Sequence, residues 1–326
     1  MTNKLLKDNN VFINFVDIGS RNGIVELGGI AQCVDAYGFE PNSVEYDKLI
    51  TGETDASFYG LKSPNYHSIA YSPYALAEKS GIYHFYITHG PGAAGMLEPD
   101  VSRLKEIHWK GESYKKNLAE DIFSVDKIVE VNAKTLKEFS VEKKISYIDY
   151  LKIDVEGSEF EVLDGAGDLL NSVGVIKVEV CFIPFRKGQK IFSEVDLLLR
   201  KYGFDLLKYE IVPEQVGLKE RTKAWSFYPA MGVPEKYGQP IQADAIYVNR
   251  SIIDKKRLIA QAAVLIEKKY IDEALFIISK KIKLEDGELV ALLKEYTGDF
   301  RTKLFTFFFN FLRTLLNLIR KFKINL

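Results

Sequence analysis

Apolar runs and helical periodicities alternate along most of this 326-residue chain. Val11 to Val16 is an apolar run that predicts a buried strand. It leads into Asp17 and then into two glycines, Gly19 and Gly23, four residues apart. Ile24 to Ala31 has the spacing of a short helix, which Gly28-Gly29 is expected to stop. Val34 to Phe39 predicts a second strand ending at Glu40-Pro41, and Ser43 to Ile50 a helix. Gly52 to Asn65 is rich in turn formers. The Lys79-Ser80-Gly81 turn predicts a hairpin with arms Ala75 to Glu78 and Ile82 to Thr88. Residues 89–125 break the pattern with a small-residue loop, His89 to Gly95, and a predicted helix, Leu104 to Leu118, carrying His108, Trp109 and Tyr114. Such an insertion reads either as a lid or substrate loop or as a solvated excursion.

The alternation then resumes. Thr135 to Phe139 predicts a helix leading into a strand over 148–157, in which Leu151, Ile153 and Val155 alternate with Lys152, Asp154 and Glu156. Ser158 and Glu161 have capping-box spacing for a helix running to about Leu170. Val173 to Phe182 is the next strand, with Glu179 near its end. Phe192 to Tyr202 is an amphipathic helix closed by Gly203. A strand over Phe204 to Val212, a loop over Pro213 to Pro240 holding Trp225, Phe227 and Tyr228, and a last strand, Asp244 to Val248, complete this part.

Strands alternating with helices predict a doubly wound α/β fold with a mainly parallel sheet covered on both faces. Ligands bind such sheets beyond the carboxyl ends of the strands. Asp17, Glu40, Asp154 and Glu179 all fall at or near such ends. The Gly19–Gly23 turn suits a backbone that must approach a ligand closely or take φ > 0. Glu40, roughly 20 residues beyond it, is placed to accept the two hydroxyls of a ribose.

Asp17-Ile18-Gly19, Gly38-Phe39-Glu40-Pro41-Asn42 and Leu151-Lys152-Ile153-Asp154-Val155-Glu156-Gly157-Ser158-Glu159 together resemble the FkbM-type S-adenosylmethionine-dependent methyltransferases. Tyr74 to Gly81 and the strand Asp244 to Val248 are similar to that family in order and spacing, and the resemblance covers about residues 10–250. The family's glycine turn usually carries Asn where this chain has Arg21. The resemblance implies a Rossmann-like sheet of seven strands in the order 3-2-1-4-5-7-6, the last antiparallel. It implies S-adenosyl-L-methionine as cofactor and O-methylation of a hydroxyl, commonly on a sugar, a glycan or a related natural product. In that setting Gly19, Ser20 and Gly23 form the turn under the methionine portion, with Asp17 near the cationic end. Glu40 and Pro41 meet the ribose, and Tyr74 and Ala75 flank the adenine. Asp154 is the first candidate for general base, also beside the cofactor, and Glu179 is the second. Asp154 has a plain structural alternative, capping the next helix or pairing with Lys152. No metal is needed, because the sulfonium is already an activated methyl donor.

Composition narrows the alternatives. A net charge of −1 gives no reason to expect nucleic-acid binding. Cys33 and Cys181 stand far apart without metal-ligand spacing, which suits buried free thiols in a reducing compartment. Met1 to Asn10 has no apolar signal region, so a cytoplasmic protein is expected. A rival reading, an NAD-dependent oxidoreductase, meets a turn that lacks the G-x-G-x-x-G form and an Asp17 that would repel a pyrophosphate. A second rival is a non-catalytic cofactor-binding module at a membrane, supported by Arg21 and the C-terminal segment. The partner expected for the enzyme is a small-molecule or glycan acceptor, with a homo-oligomer left open.

Residues 251–299 read as a small helical appendage, with helices over Asp254 to Lys268, Asp272 to Ile282 and Asp286 to Tyr296, each opening on an N-cap aspartate. Six basic and no acidic side chains follow Asp299. Over 300–326 a helix would gather Lys303, Arg313, Arg320 and Lys321 in one polar stripe about 120° wide, with phenylalanines and leucines on the remaining arc. The longest apolar span, Leu304 to Ile319, is 16 residues long and contains Arg313. That is short of the roughly 20 residues a spanning helix needs. The segment is therefore expected to lie on an anionic membrane surface, against the alternatives of packing on 253–297 or self-association. The full-length chain is expected to float with anionic liposomes and a 1–299 truncation to stay behind; equal flotation of the two chains contradicts this.

Overall fold

In a computed structural model the described residues are 2–58, 60, 62–105, 107–109, 118–211, 215–218 and 242–282. The helices expected over 286–296 and 300–326, and Trp225, Phe227 and Tyr228, lie outside them. Seven strands form one sheet: β1 (Ile13–Ile18), β2 (Val34–Phe39), β3 (Ser68–Ser72), β8 (Ile148–Ile153), β9 (Val173–Cys181), β10 (Phe204–Ile211) and β12 (Gln242–Asn249). Across the sheet they run β10-β12-β9-β8-β1-β2-β3, and β12 is antiparallel to both of its neighbours. This is the expected 3-2-1-4-5-7-6 order, and the fold class is the Rossmann-like one.

The two faces of the sheet follow from period two. Ile13 and Phe15 of β1 join one core, Val16 and Ile18 the other. The second core is covered by helices Leu136–Lys143, Glu159–Ala166 and Phe192–Lys201. The first is covered by the short Thr2–Asp8 helix and by Lys255–Glu267, which runs on through Ile271–Phe276 into a π-helical turn, Ile277–Ile282. Every residue from Leu258 to Ile266 is buried, so Lys255–Glu267 packs as a layer of the sheet itself. Asp254 caps it as expected, accepting from the Arg257 amide. Asp272 caps nothing, because that helix begins one residue earlier and Tyr270 stands at its N-cap.

Several local expectations are corrected. β1 extends to Ile18, because Asp17 is paired on both sides, with Gly38 of β2 and Lys152 of β8. Gly28-Gly29 opens a 3-10 turn, Gly28–Cys33, and does not stop a helix. There the Gly29 amide and carbonyl bond the side chains of Glu267 and Asn3. The Ala75–Thr88 hairpin does not form. β4 (Ala75–Leu76) and β5 (Gly81–Thr88) pair instead on either side of β7 (Val125–Lys134), a strand that went unpredicted. Leu104 to Leu118 is not one helix: a turn of helix ends at Leu104, and β6 (Ile107–Trp109) pairs with β11 (Gln215–Leu218). Ser158 makes no capping box with Glu161, and its hydroxyl has no hydrogen-bond partner. Glu159 takes over the turn, accepting from the amides of Val155 and Gly157.

A buried ion pair fixes the 255–267 helix to β8. Asp149, 3% exposed, takes bonds of 2.9 and 2.8 Å from Arg257 Nη1 and one of 2.9 Å from the Asn14 amide. Burial pushes its carboxyl up to about 6 against the pull of Arg257. Arg257→Met is expected to cost ~3–5 kcal/mol at neutral pH, because it leaves that charge uncompensated. Arg257 lowers the Asp149 pKa, so without it the folded carboxyl takes up its proton above about 6, and the loss shrinks as the pH falls toward about 6 and levels off below it. Urea unfolding at two pH values checks both the size and the trend.

Candidate functional site

The site begins where β1 and β8 end side by side. Gly19, at φ +92°, lies so close to β8 that a β-carbon there would sit 1.8 Å from the Asp154 carbonyl oxygen. The Asp154 amide donates to the Ile18 carbonyl at 3.0 Å, closing the contact from the other side. Behind the turn, the Ser20 hydroxyl donates to the Asp17 carbonyl (2.6 Å) and accepts from the Phe39 amide (3.1 Å). The Ser20 amide donates to the Phe39 carbonyl, and the Gly23 amide to the Ser20 carbonyl. Gly23 also takes positive φ, +87°. The turn is thus stitched to the end of β2, where Glu40 follows. Arg21, which also lines the cavity, ion-pairs with Glu45 at 2.9 Å and with Asp55, so it ties the turn to helix Ser43–Thr51.

These ends frame a cavity of about 300 Å³. Asp17, Gly19, Gly23, Glu40, Pro41, Ala75 and Asp154 line it. Ser20 supports it from behind, 2% exposed. Tyr74 lies outside the lining; its ring packs against Phe39, with Lys134 over its face at 4.9 Å. Glu179 also lies outside it. Its carboxylate sits within 4.8 Å of those of Asp154 and Glu156 and accepts from the Gln242 amide nitrogen. All three of these carboxylates already have protein partners, since Lys152 is 3.5 Å from Asp154 and Arg186 is 2.8 Å from Glu156.

Sequence reasoning left Glu26 and Glu156 out of the cavity wall, although both line it, and read the insertion whose 91–96 segment also lines it as either a lid or substrate loop or a solvated excursion. The only early signal for Glu156 was its place in the strand-end run of alternating charges. Glu26 gave none, because its partners Lys177 and Lys268 come from distant elements.

The lining holds six carboxylates (Asp17, Glu26, Glu40, Glu45, Asp154 and Glu156) against two cations, Arg21 and Lys152. Lys152 is shared between Asp17 at 3.1 Å and Asp154 at 3.5 Å. Burial works against its charge, but the two carboxylates outweigh burial and hold its proton above the usual lysine range. Burial pushes Asp17 up to about 6 in spite of Lys152, so the pair is ionic at neutral pH. Burial pushes Glu40 up to about 7, against the 2.8 Å bond it takes from the Asn42 amide. It also raises Glu179 well above the usual range, helped by Asp154 and Glu156. Such a cavity suits a ligand that brings positive charge and hydroxyl donors, and it disfavours a pyrophosphate.

Residues 18–206 match the family described as the Methyltransferase FkbM domain. No curated protein matched the chain. Among solved structures, magnesium protoporphyrin IX methyltransferase from Synechocystis PCC 6803 with bound SAM aligns at 10% identity and a TM-score of 0.32, over 76% of each chain. A putative sarcosine dimethylglycine methyltransferase from Galdieria sulphuraria aligns at 8% identity and a TM-score of 0.32, over 77% of this chain and 85% of that one. A putative tRNA (m1A22) methyltransferase from Streptococcus pneumoniae aligns at 9% and 0.30, over 87% and 89%.

Glu40 is 5% exposed, so its charge costs the empty protein stability. Its folded pKa is raised, so its contribution favours folding at low pH and is lost as the pH rises through about 7. Glu40→Gln is therefore expected to gain stability relative to wild type between about pH 5 and 8. Ligand-free urea unfolding across that range measures it, and the opposite trend would contradict the burial argument.

Proposed function

The chain belongs to the FkbM methyltransferase family, and from that membership and the cavity we propose that it transfers the methyl group of S-adenosyl-L-methionine to a hydroxyl of a sugar, a glycan or a related natural product. Two features fit the cofactor: the Gly19 and Gly23 turn, which lines the cavity without side chains, and the excess of lining carboxylates, which suits a ligand carrying a sulfonium and an ammonium. When bound, the cofactor supplies an activated methyl group and leaves as a neutral thioether. Gly19 and Gly23 would shape the turn under its methionine portion, Asp17 would meet its cationic end, and Glu40 would accept from the ribose hydroxyls. Pro41 and Ala75 serve as apolar walls, and Tyr74 acts only from behind Phe39.

The observation that carries the reading is the exposure of Asp154. Its side chain is 39% exposed at the end of the strand, against 4% for Asp17 and 25% for Glu156. Among these three it is the carboxylate most open to an acceptor. In this reading it orients the hydroxyl and takes its proton as the methyl group arrives. Lys152 holds it in place. Glu156, which also lines the cavity, hydrogen-bonds a neighbouring hydroxyl in this reading, which favours polyhydroxylated acceptors. The non-catalytic alternative drew on Arg21, yet Glu45 and Asp55 pair its charge and the turn keeps its form.

Asp154→Asn is expected to cut methyl transfer to hydroxyl acceptors by ~10²–10⁴ while S-adenosylhomocysteine affinity stays within a few-fold of wild type. Transfer of labelled methyl to a panel of glycosides, beside titration calorimetry, tests this. A variant that turns over at the wild-type rate removes Asp154 as base. Failure of the wild-type chain to bind S-adenosylhomocysteine removes the whole reading.

A further inference from the structure

The wall and the floor of the cavity meet at one buried guanidinium. The wall is the 91–96 segment, of which Pro91, Gly92, Ala94 and Met96 face the cavity. The floor is the turn after β8, lined by Asp154, Val155, Glu156 and Ser158. Arg186, in the loop between β9 and helix Phe192–Lys201, is 2% exposed. Its Nη2 donates to the Ala93 carbonyl of the wall at 2.9 Å and to the Glu156 carboxylate of the floor at 2.8 Å. The guanidinium lies 4.9 Å from the centre of the Phe123 ring, beside a small core that includes Ala93 and Phe185.

The surroundings are built for this placement. Gln189 accepts from the amides of Phe185 and Arg186, and Arg186 is bridged to Pro99 beyond the wall. The floor turn runs through two successive residues at positive φ, Glu156 (+61°) and Gly157 (+110°). A β-carbon at Gly157 would lie 2.6 Å from Arg186 Cδ, so the glycine makes room for the arginine stem. A β-carbon at Gly95 would lie 2.9 Å from the Glu156 carbonyl oxygen, so wall backbone rests directly on floor backbone. A glutamate held left-handed is uncommon and persists only where its surroundings over-determine it.

We propose that Arg186 is a positioning residue for the acceptor half of the site: it holds the Glu156 carboxylate in place and hangs the 91–96 wall from the same guanidinium, so that wall and floor keep one spacing around Asp154. This rests on the reading of Asp154 as the reacting end, since the Glu156 carboxylate lies within 4.8 Å of it. Arginine suits the task better than lysine, because its planar fork bonds two acceptors in fixed directions while its stem stays buried. Burial, with Asp154 and Glu159, holds the Glu156 carboxyl up at about 8 against the pull of Arg186.

The test is hydrogen exchange followed by mass spectrometry on the full chain, with and without S-adenosylhomocysteine, for wild type, Arg186→Lys, Arg186→Met and Glu156→Gln. Exchange across 91–96 should quicken about tenfold in Arg186→Met and Glu156→Gln, and less in Arg186→Lys, while amides of β1 and β8 keep their wild-type rates. Ligand protection of 91–96 should weaken in step. Should Arg186→Met not fold, Glu156→Gln carries the test, because it leaves Arg186 in place with only a neutral, weaker acceptor. Wild-type exchange at 91–96 in either folded variant overturns the proposal. So does a rise shared equally by β1 and β8, the mark of a residue that merely stabilises the core. If the wild-type chain fails to bind S-adenosylhomocysteine, the proposed function falls while the ligand-free exchange still decides the role of Arg186.

Discussion

The contact between Gly19 and the Asp154 carbonyl is the constraint on which the rest depends. Two parallel strands that end side by side normally diverge into their own loops. Here β1 turns at once, at positive φ, across the end of β8, at a separation that excludes any side chain. That closeness puts Asp17, Lys152 and Asp154 on adjacent strand ends and so creates the shared lysine. It also leaves Ser20 where its hydroxyl can bond both the end of β1 and the end of β2. Glu40 then emerges beside the turn because β2 is in register with β1, Ile18 opposite Phe39. One backbone approach thus sets the positions of the acids on three strands.

The buried acids of the cavity are costly to ionise. Asp17 and Glu40 are each 5% exposed or less and carry raised pKa values, so their ionised forms cost free energy until a ligand brings charge or hydroxyl donors. The scaffold offsets this with partners drawn from rigid elements: Lys152 on a central strand, Arg21 against a helix, Arg186 within a small core. The acids are therefore pre-placed, and binding energy need not be spent on collecting them.

How much of this was legible in the sequence divides along the same line. The main strands and Asp17, Glu40 and Asp154 could be read, because strand periodicity and strand-end carboxylates are local signals, whereas the sheet order followed only from the family resemblance. Tyr74 does not reach the cavity, because β4 beside it pairs with the distant β7, which was passed over although Val129, Val131 and Ala133 alternate with Glu130, Asn132 and Lys134. The Gly28-Gly29 stop failed for a similar reason: Glu267, 238 residues on, takes the amide that would otherwise end a helix. Arg186 was invisible since nothing in Phe185-Arg186-Lys187 distinguishes a buried arginine from a solvated one. Burial of a charge is decided by tertiary partners alone.

Glu26 carries that point to the C-terminal helices. It lines the cavity, yet its carboxylate is gripped from outside, by Lys268 at 2.8 Å, by Lys177 at 3.4 Å and by the Tyr150 hydroxyl at 2.6 Å. Burial works against its charge, but the two lysines outweigh burial and draw its pKa below the usual range. Lys177 passes the chain of charges on to Asp244 of β12 at 3.0 Å. A helix following the last strand of the sheet, outside the matched family region, therefore stabilises an ionised group inside the cavity. Shifting that helix would unpair a carboxylate within the pocket, so the covering layer and the electrostatics of the site are a single structural unit.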